Sequence, residues 1–142
     1  MVMGRTENLH TVLESLLVEE FRTVQKLQRL KLSESQALSN YDMRTVNELN
    51  EEIEITVDDI QQLQSQRQIV VDKIANGLNV NSETPTVLDI SLALRSELND
   101  RILRLQEGIR ALNDEIRQIS TRNAALTPPI MKRPKELRDL PK

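Results

Sequence analysis

One long seam, residues 88–126, constrains the fold of this chain more than any other feature. Mostly apolar residues recur there in alternating steps of three and four, over more than five heptads. Such a 3.5-residue repeat is typical of a long helix that packs against other long helices. The seam therefore predicts a coiled-coil-like helix that needs partner helices of similar length. Its positions are Leu88, Ser91, Arg95, Leu98, Ile102, Leu105, Ile109, Leu112, Ile116, Ile119, Asn123 and Leu126.

Two earlier stretches supply the partners. Apolar residues recur at an average step of 3.6 over residues 6–38, and residues 43–76 repeat the alternation of three and four. The break between them is short, with Asp42 suited to cap the second helix. Tyr41 and Val46 have the spacing of a hydrophobic staple. We therefore expect the first two helices to be antiparallel neighbours.

The third helix is expected over residues 86–126, unbroken at Gly108, although glycine costs about 1 kcal/mol there against alanine. Gly77 is a plausible left-handed residue at the end of the second helix. Either Thr84 before Pro85 or a capping box that starts at Thr86 would begin the third helix.

The predicted fold is all-α, an elongated antiparallel three-helix bundle of residues 1–127 with coiled-coil-like packing. Two prolines, Pro128 and Pro129, end the third helix. Residues 128–142, which hold four of the five prolines, are expected to form a flexible basic tail.

The charge distribution argues against nucleic acid as a partner. The net charge of −3 divides into +3 for the tail and −6 for residues 1–127, and an acidic body repels phosphates. Within the second helix, residues 48–59 hold six acids and no base. That run is either a solvated helix face or an acidic docking face for a basic partner.

Other classes of protein lack support in the sequence. Without cysteine there is no disulfide or Cys-ligated zinc. No apolar run approaches the ~20 residues of a membrane span, so no membrane insertion is expected. The start lacks the apolar core of a secretory signal, which predicts a cytoplasmic protein.

No catalytic, cofactor or metal site is expected, and the protein is predicted not to be an enzyme. Glu7 and His10, the single histidine, match half of a di-iron motif that needs a second such pair and two more glutamates. We therefore expect His10 on a helix surface. Arg67, in the second seam, is expected to carry its charge outward.

The end of the third helix is the candidate partner-binding surface. If the opposite ends of the helices are level, about six residues of the third helix overhang the first connection, and uncovered apolar seam is typical of a binding surface. Ile116, Ile119 and Leu126 would contact a partner helix, with Asn123 as a polar contact. Asn123 also fits a buried residue that sets helix register. The tail residues Ile130, Leu137 and Leu140 would close over the partner.

Several degenerate motifs resemble the flagellar export chaperone FlgN family over roughly residues 9–126. They are Leu16-Leu17 with Glu19-Glu20, Ala37-Leu38-x-x-x-Asp42 leading into Val46-x-x-Leu49, Leu63-x-x-x-Arg67-x-x-Val70-Val71, and Leu112-x-x-x-Ile116-x-x-Ile119-x-x-x-Asn123-x-x-Leu126. The family's C-terminal region often continues as an amphipathic helix, whereas here prolines follow Thr127.

The resemblance implies a small cytoplasmic chaperone of bacterial type III export. Such proteins hold hook-associated flagellar subunits unassembled, bind a helical terminal segment of the client and pass it to the export apparatus. Two alternatives remain open. One is a structural, self-associating coiled-coil scaffold. The other is a different coiled-coil export component, such as a stalk-like subunit of the export ATPase. Either a monomer or a dimer is compatible with the sequence.

Overall fold

The computed structural model describes residues 2–78, 84–92 and 97–128, without the side chains of 2–8, 91–92 and 98. Within these ranges every regular element is a helix, which confirms the all-α prediction. The helices are α1 (Val2–Ser39), α2 (Met43–Gly77), α3 (Val87–Leu92) and α4 (Glu97–Leu126). None of them, as far as they are described, is long and apolar enough to span a membrane.

The expected single third helix is not confirmed. The structure has α3 and α4 in its place, and residues 93–96 between them lie outside the described residues. The bundle therefore stays a prediction in its three-helix form. The predicted tail stays one too, since residues 129–142 are not described.

The chain folds into two compact units. Unit 1 consists of Met1–Phe21 and Gln62–Ile109, and unit 2 of Arg22–Gln61 and Arg110–Lys142. The predicted division into residues 1–127 and 128–142 is a different one and is not tested by this observation.

The buried side of α1 repeats every 3.5 residues and includes charged side chains. Its members alternate strictly in steps of three and four, which is the spacing of a coiled-coil seam. They are His10, Leu13, Leu17, Glu20, Val24, Leu27, Lys31, Glu34 and Leu38, all buried. The seam therefore has the period of α2 and α4, not the 3.6 predicted for the first helix.

In unit 1, α1 and α4 lie side by side and run in the same direction. Arg101 Nε donates to Glu14 Oε2 at 2.6 Å. The ring of Phe21 lies against Gly108, where a Cβ would be 2.7 Å from Phe21 Cε2. Both contacts advance by seven residues on each helix, so the helices are parallel. The prediction that α4 continues through Gly108 is confirmed, and the missing side chain makes room for the ring.

In unit 2, a tight turn joins α1 to α2. The N–H of Asp42 donates to the carbonyl of Ala37 (2.9 Å) and that of Tyr41 to the carbonyl of Leu38 (3.1 Å). These two bonds form a Schellman motif, whose left-handed position is usually glycine; here Tyr41 occupies it with φ 54°. Tyr41 is 85% exposed while Val46 is buried, so the predicted staple is wrong.

Asp42 caps α2 as predicted. Its carboxylate accepts from the Thr45 hydroxyl at 2.7 Å and from the Thr45 N–H at 3.2 Å. These bonds favour the ionised form and lower the pKa of Asp42 below its ordinary value. The cap and the turn together reverse the chain, and Ala37, Leu38 and Val46 form a small apolar core beside them.

Two further helix ends differ in outcome. Gly77 lies within α2 and no glycine has a positive φ among the described residues, so the prediction of a left-handed Gly77 is wrong. At α3 the capping box is present: Thr86 N–H donates to Asp89 Oδ2 (2.9 Å) and Asp89 N–H to Thr86 Oγ1 (3.2 Å). Of the two predicted starts, the one at Thr86 is confirmed.

Candidate partner-binding site

The structure places four of the seven predicted partner-binding residues in unit 2. Ile116 and Ile119 are each 1% exposed and Asn123 is 3% exposed, whereas Leu126 is 49% exposed. The other three, Ile130, Leu137 and Leu140, lie outside the described residues. The expectation of an uncovered seam at the end of α4 is therefore wrong except at Leu126.

The register between α1 and α4 explains why the seam is covered. In unit 2 the Ser35 hydroxyl donates to the side-chain carbonyl of Asn123. Each residue of α1 is therefore level with the residue of α4 that lies 88 positions later in the sequence. The same offset places Ser39, the last residue of α1, level with Thr127. The predicted overhang required the helices to be level at their opposite ends, whereas α1 reaches as far as α4 does at this end.

Asn123 makes hydrogen bonds to α1 with both ends of its amide. Its Nδ2 donates to the carbonyl of Lys31 at 3.0 Å and to Glu34 Oε1 at 2.8 Å, and its Oδ1 accepts from Ser35. An amide with this many partners in a helix seam fixes one register, because any shift would leave the buried groups unpaired. These contacts favour the interpretation of Asn123 as a register-setting residue.

A buried ion pair adjoins the asparagine. Lys31 Nζ lies 3.8 Å from Glu34 Oε1, and the two side chains are 2% and 8% exposed. We call Lys31, Glu34, Ser35 and Asn123 the polar layer of unit 2. Three of its members, Lys31, Glu34 and Ser35, were not predicted, because a search for apolar residues does not include charged and small polar side chains. The alternation of three and four from Leu13 onward is the signal that would have found Lys31 and Glu34.

Other buried polar atoms of unit 2 lack partners. The side-chain oxygens of Asn50, Asn113 and Ser120 have no hydrogen-bond partner among the described residues. An unsatisfied buried polar group costs about 1–3 kcal/mol. These three oxygens would therefore gain hydrogen bonds if unit 2 opened and water reached them.

Four large apolar side chains of unit 2 are exposed in the part of the chain that the structure describes. They are Leu32, Tyr41, Ile55 and Leu126, between 45% and 85% exposed. Leu126 lies one turn beyond Asn123 and is the sole predicted contact among the described residues that a partner reaches without rearrangement. Tyr41, at the turn that joins α1 to α2, was not predicted as exposed.

In unit 1 the clearest buried charge is Glu20, 1% exposed, which accepts from Arg67 Nε at 2.9 Å. Burial raises the pKa of the Glu20 carboxyl above its ordinary value, and Arg67 and Gln64 offset only part of that effect. Arg67 therefore points its charge at a buried carboxylate, and the prediction that it faces outward is wrong. This pair joins α1 to α2 within unit 1.

The two residues weighed for metal chemistry are His10 and Glu7, and the side chain of Glu7 lies outside the described residues. His10 is 6% exposed, so the expectation that it lies on a helix surface is wrong. No three His, Asp or Glu residues among those described are close enough together to hold a metal ion.

Comparison with known families gives one result. A family model described as FlgN protein matches residues 3–133 of the 142-residue chain. The match includes α2, α3 and α4 in full and all but the first residue of α1. No curated protein and no solved structure matches the chain.

Proposed function

The chain belongs to the FlgN family of flagellar export chaperones, and from that premise we propose that it holds a hook-associated subunit unassembled. The client contributes a helical terminal segment, and the chaperone passes the client to the export apparatus in the cytoplasm. The observation that carries this proposal is the family match.

The proposed binding site is the end of unit 2 at which α4 ends. Leu126 supplies the first contact, because it is half exposed and a client helix can lay an apolar residue against it at once. Ile116 and Ile119 are buried, so they contact the client only if the end of α4 separates from α1. Asn123 then exchanges its bonds to Lys31 and Glu34 for bonds to the client.

The polarity of unit 2 supports such a separation. An apolar layer loses its burial when helices part, whereas buried charges and amides regain water. The unpartnered oxygens of Asn113 and Ser120 add to this effect. Opening unit 2 therefore costs less than opening an apolar seam of equal area, and the client helix replaces the apolar contacts of Ile116 and Ile119.

The tail completes the proposed complex. Ile130, Leu137 and Leu140 close over the bound helix, and ordering these residues reduces the net affinity. A modest affinity suits a chaperone that must release its client.

The test compares two leucines that are equally exposed. Leu126→Glu places a charge in the proposed site, and Leu88→Glu (Leu88 is 53% exposed, in unit 1) is the control. Binding of peptides that correspond to the terminal helices of hook-associated subunits is measured by isothermal titration calorimetry with the full chain. Loss of one buried leucine removes about 1.5–3 kcal/mol, so we expect Leu126→Glu to weaken binding roughly tenfold or more and Leu88→Glu to leave it unchanged.

Two results would contradict the proposal. If Leu126→Glu binds as tightly as the wild type, the site is elsewhere. If no terminal peptide binds while the concentrated protein forms dimers that Leu126→Glu disrupts, the surface serves self-association and the scaffold alternative is the better one.

A further inference from the structure

An exposed isoleucine on α2 lies at the centre of four carboxylates. Ile55 is 60% exposed. The residues three and four positions away on a helix are its surface neighbours, and here they are all acidic and all exposed: Glu51, Glu52, Asp58 and Asp59. We call these five residues the α2 acidic face. They belong to unit 2.

The composition of this face distinguishes it from a solvated surface. Carboxylates alone keep a helix hydrated, and an isoleucine among them adds exposed apolar area without improving solubility. A second exposed isoleucine of α2, Ile69, is 55% exposed, but its neighbours are Ser65, Gln66, Asp72 and Lys73, with one acid and one base. The face around Ile55 combines an apolar centre with four uncompensated negative charges, and its complement is a basic segment with an apolar residue.

The same chain contains such a segment. Residues 129–142 hold five basic and two acidic residues. Near their end, Leu137 has Lys135 two positions before it and Arg138 immediately after it. The segment therefore has a net charge of +3, opposite in sign to the α2 acidic face.

The segment is also long enough. Pro128 follows the end of α4, which is level with the end of α1 and hence with the turn into α2. Ile55 lies twelve residues beyond Met43, or about 18 Å along the helix axis. Leu137 lies nine residues beyond Pro128, a reach of about 30 Å when extended. The reach is therefore about 12 Å longer than the axial distance. This excess is more than the ~10 Å that separates neighbouring helices, so Leu137 can reach Ile55.

We propose that in the free protein the segment 129–142 docks on the α2 acidic face, with Leu137 against Ile55 and the flanking basic side chains paired with Glu51, Glu52, Asp58 and Asp59. Docking covers the isoleucine and neutralises part of the acidic run. It does not depend on a client. A consequence that does rest on the proposed function is that a client must draw the same segment away from α2 before the tail can close over it.

Zero-length cross-linking of the free full-length protein tests the proposal. A carbodiimide joins a carboxylate to an amine only when the two are in contact, and the tail offers amines at Lys132, Lys135 and Lys142. We expect cross-linked peptides that join these lysines to the four carboxylates of the α2 acidic face. In an equal mixture of ¹⁵N-labelled and unlabelled protein, the cross-links must join peptides of the same isotope, because docking is within one chain.

Matched variants separate docking from chance encounter. Ile55→Ser removes the apolar centre and leaves every charge, and we expect the cross-link yield to fall roughly tenfold, the effect of about 1.5 kcal/mol of lost burial. Ile69→Ser is the control and should leave the yield unchanged. Raising the salt from 0.05 to about 0.5 M should also lower the yield, because the charges lie on the surface.

Three outcomes would overturn the proposal. The first is cross-links from the tail lysines to carboxylates elsewhere and not to these four. The second is cross-links between labelled and unlabelled chains, which would assign the face to a second copy. The third is an equal loss of yield in the two serine variants. None of them bears on whether a client binds near Leu126.

Discussion

The same two helices, α1 and α4, meet in both units, but the contacts have different chemistry. In unit 1 the ring of Phe21 lies on the bare backbone of Gly108, and an ion pair between Glu14 and Arg101 lies at the surface. In unit 2 the contact is the polar layer, in which Asn123 bonds to the ion-paired Glu34 and to the backbone of α1. Where α1 meets α4, unit 1 therefore has a contact made by shape, and unit 2 has a contact made by buried hydrogen bonds.

The difference predicts opposite sensitivities. A contact made by shape weakens when volume is added, because the neighbouring ring must then leave its place against the backbone. A contact made by buried polar groups fails when one partner is removed, because the others stay buried without a bond. Water can also replace the bonds of such a polar contact when the helices separate, which agrees with the proposal that unit 2 binds the client.

The largest expected effect is in the polar layer. Glu34→Ala leaves the Lys31 ammonium buried without its carboxylate and removes one bond of Asn123. Breaking a buried ion pair from one side costs about 3–5 kcal/mol, so the midpoint of urea unfolding followed by circular dichroism should fall steeply. The control is Glu115→Ala, an exposed glutamate of α4 in the same unit, which should change stability by less than about 0.5 kcal/mol. Equal effects of the two variants would show that the polar layer does not hold unit 2 together.

The next effect is in unit 1. Gly108→Ala adds a methyl group into the Phe21 ring, and overpacking costs about 1–3 kcal/mol. The gain in helix propensity of about 1 kcal/mol offsets part of that cost, so we expect a net loss of stability in urea unfolding. Gly77→Ala is the matched control, because a Cβ there meets nothing within 4 Å, and it should be neutral or stabilising. A stabilising Gly108→Ala would mean that the ring yields and that shape does not define unit 1.

The smallest effect concerns pH and the buried carboxyl of Glu20. Its pKa is raised in the folded protein, so the folded state binds this proton more tightly than the unfolded state. The stabilisation from protonated Glu20 is complete below the unfolded pKa of about 4.5 and is lost as the pH rises through the folded pKa. The unfolding free energy of the wild type should therefore fall relative to that of Glu20→Gln between pH 4 and 7. A difference that stays constant, or grows in favour of the wild type, would show that Arg67 outweighs the burial of the carboxylate.

Apolar periodicity predicted much of the fold. In α2 the seam residues Val46, Ile53, Ile60 and Ile74 are buried, because branched apolar side chains at that spacing leave a helix one way to pack. The two helix starts that were confirmed, at Asp42 and Thr86, depend on local hydrogen bonds that a short stretch of sequence determines. Such features need no knowledge of distant residues.

The details that sequence did not predict depend on pairs far apart in the chain. Glu34, which pairs with the buried Lys31, also accepts a hydrogen bond from Asn123, 89 residues away in the chain. The exposure of Leu126 depends on how far α1 reaches, which requires the register between two helices nearly ninety residues apart. For the candidate site, the sequence pointed to the end of α4, where Leu126 is indeed half exposed, but it could not show that the neighbouring seam is already covered.

The turn at Tyr41 has a consequence for observing the protein. The chain has one tyrosine and no tryptophan, so nearly all of its absorbance at 280 nm and its intrinsic emission come from a ring that is 85% exposed. Tyr41 lies in the turn between α1 and α2 of unit 2, in the left-handed conformation with a φ of 54°. Tyr41 is thus an intrinsic optical reporter for the α1–α2 turn of unit 2. Quenching of its emission by iodide reports whether that turn is covered or free, in unmodified protein and without an attached dye.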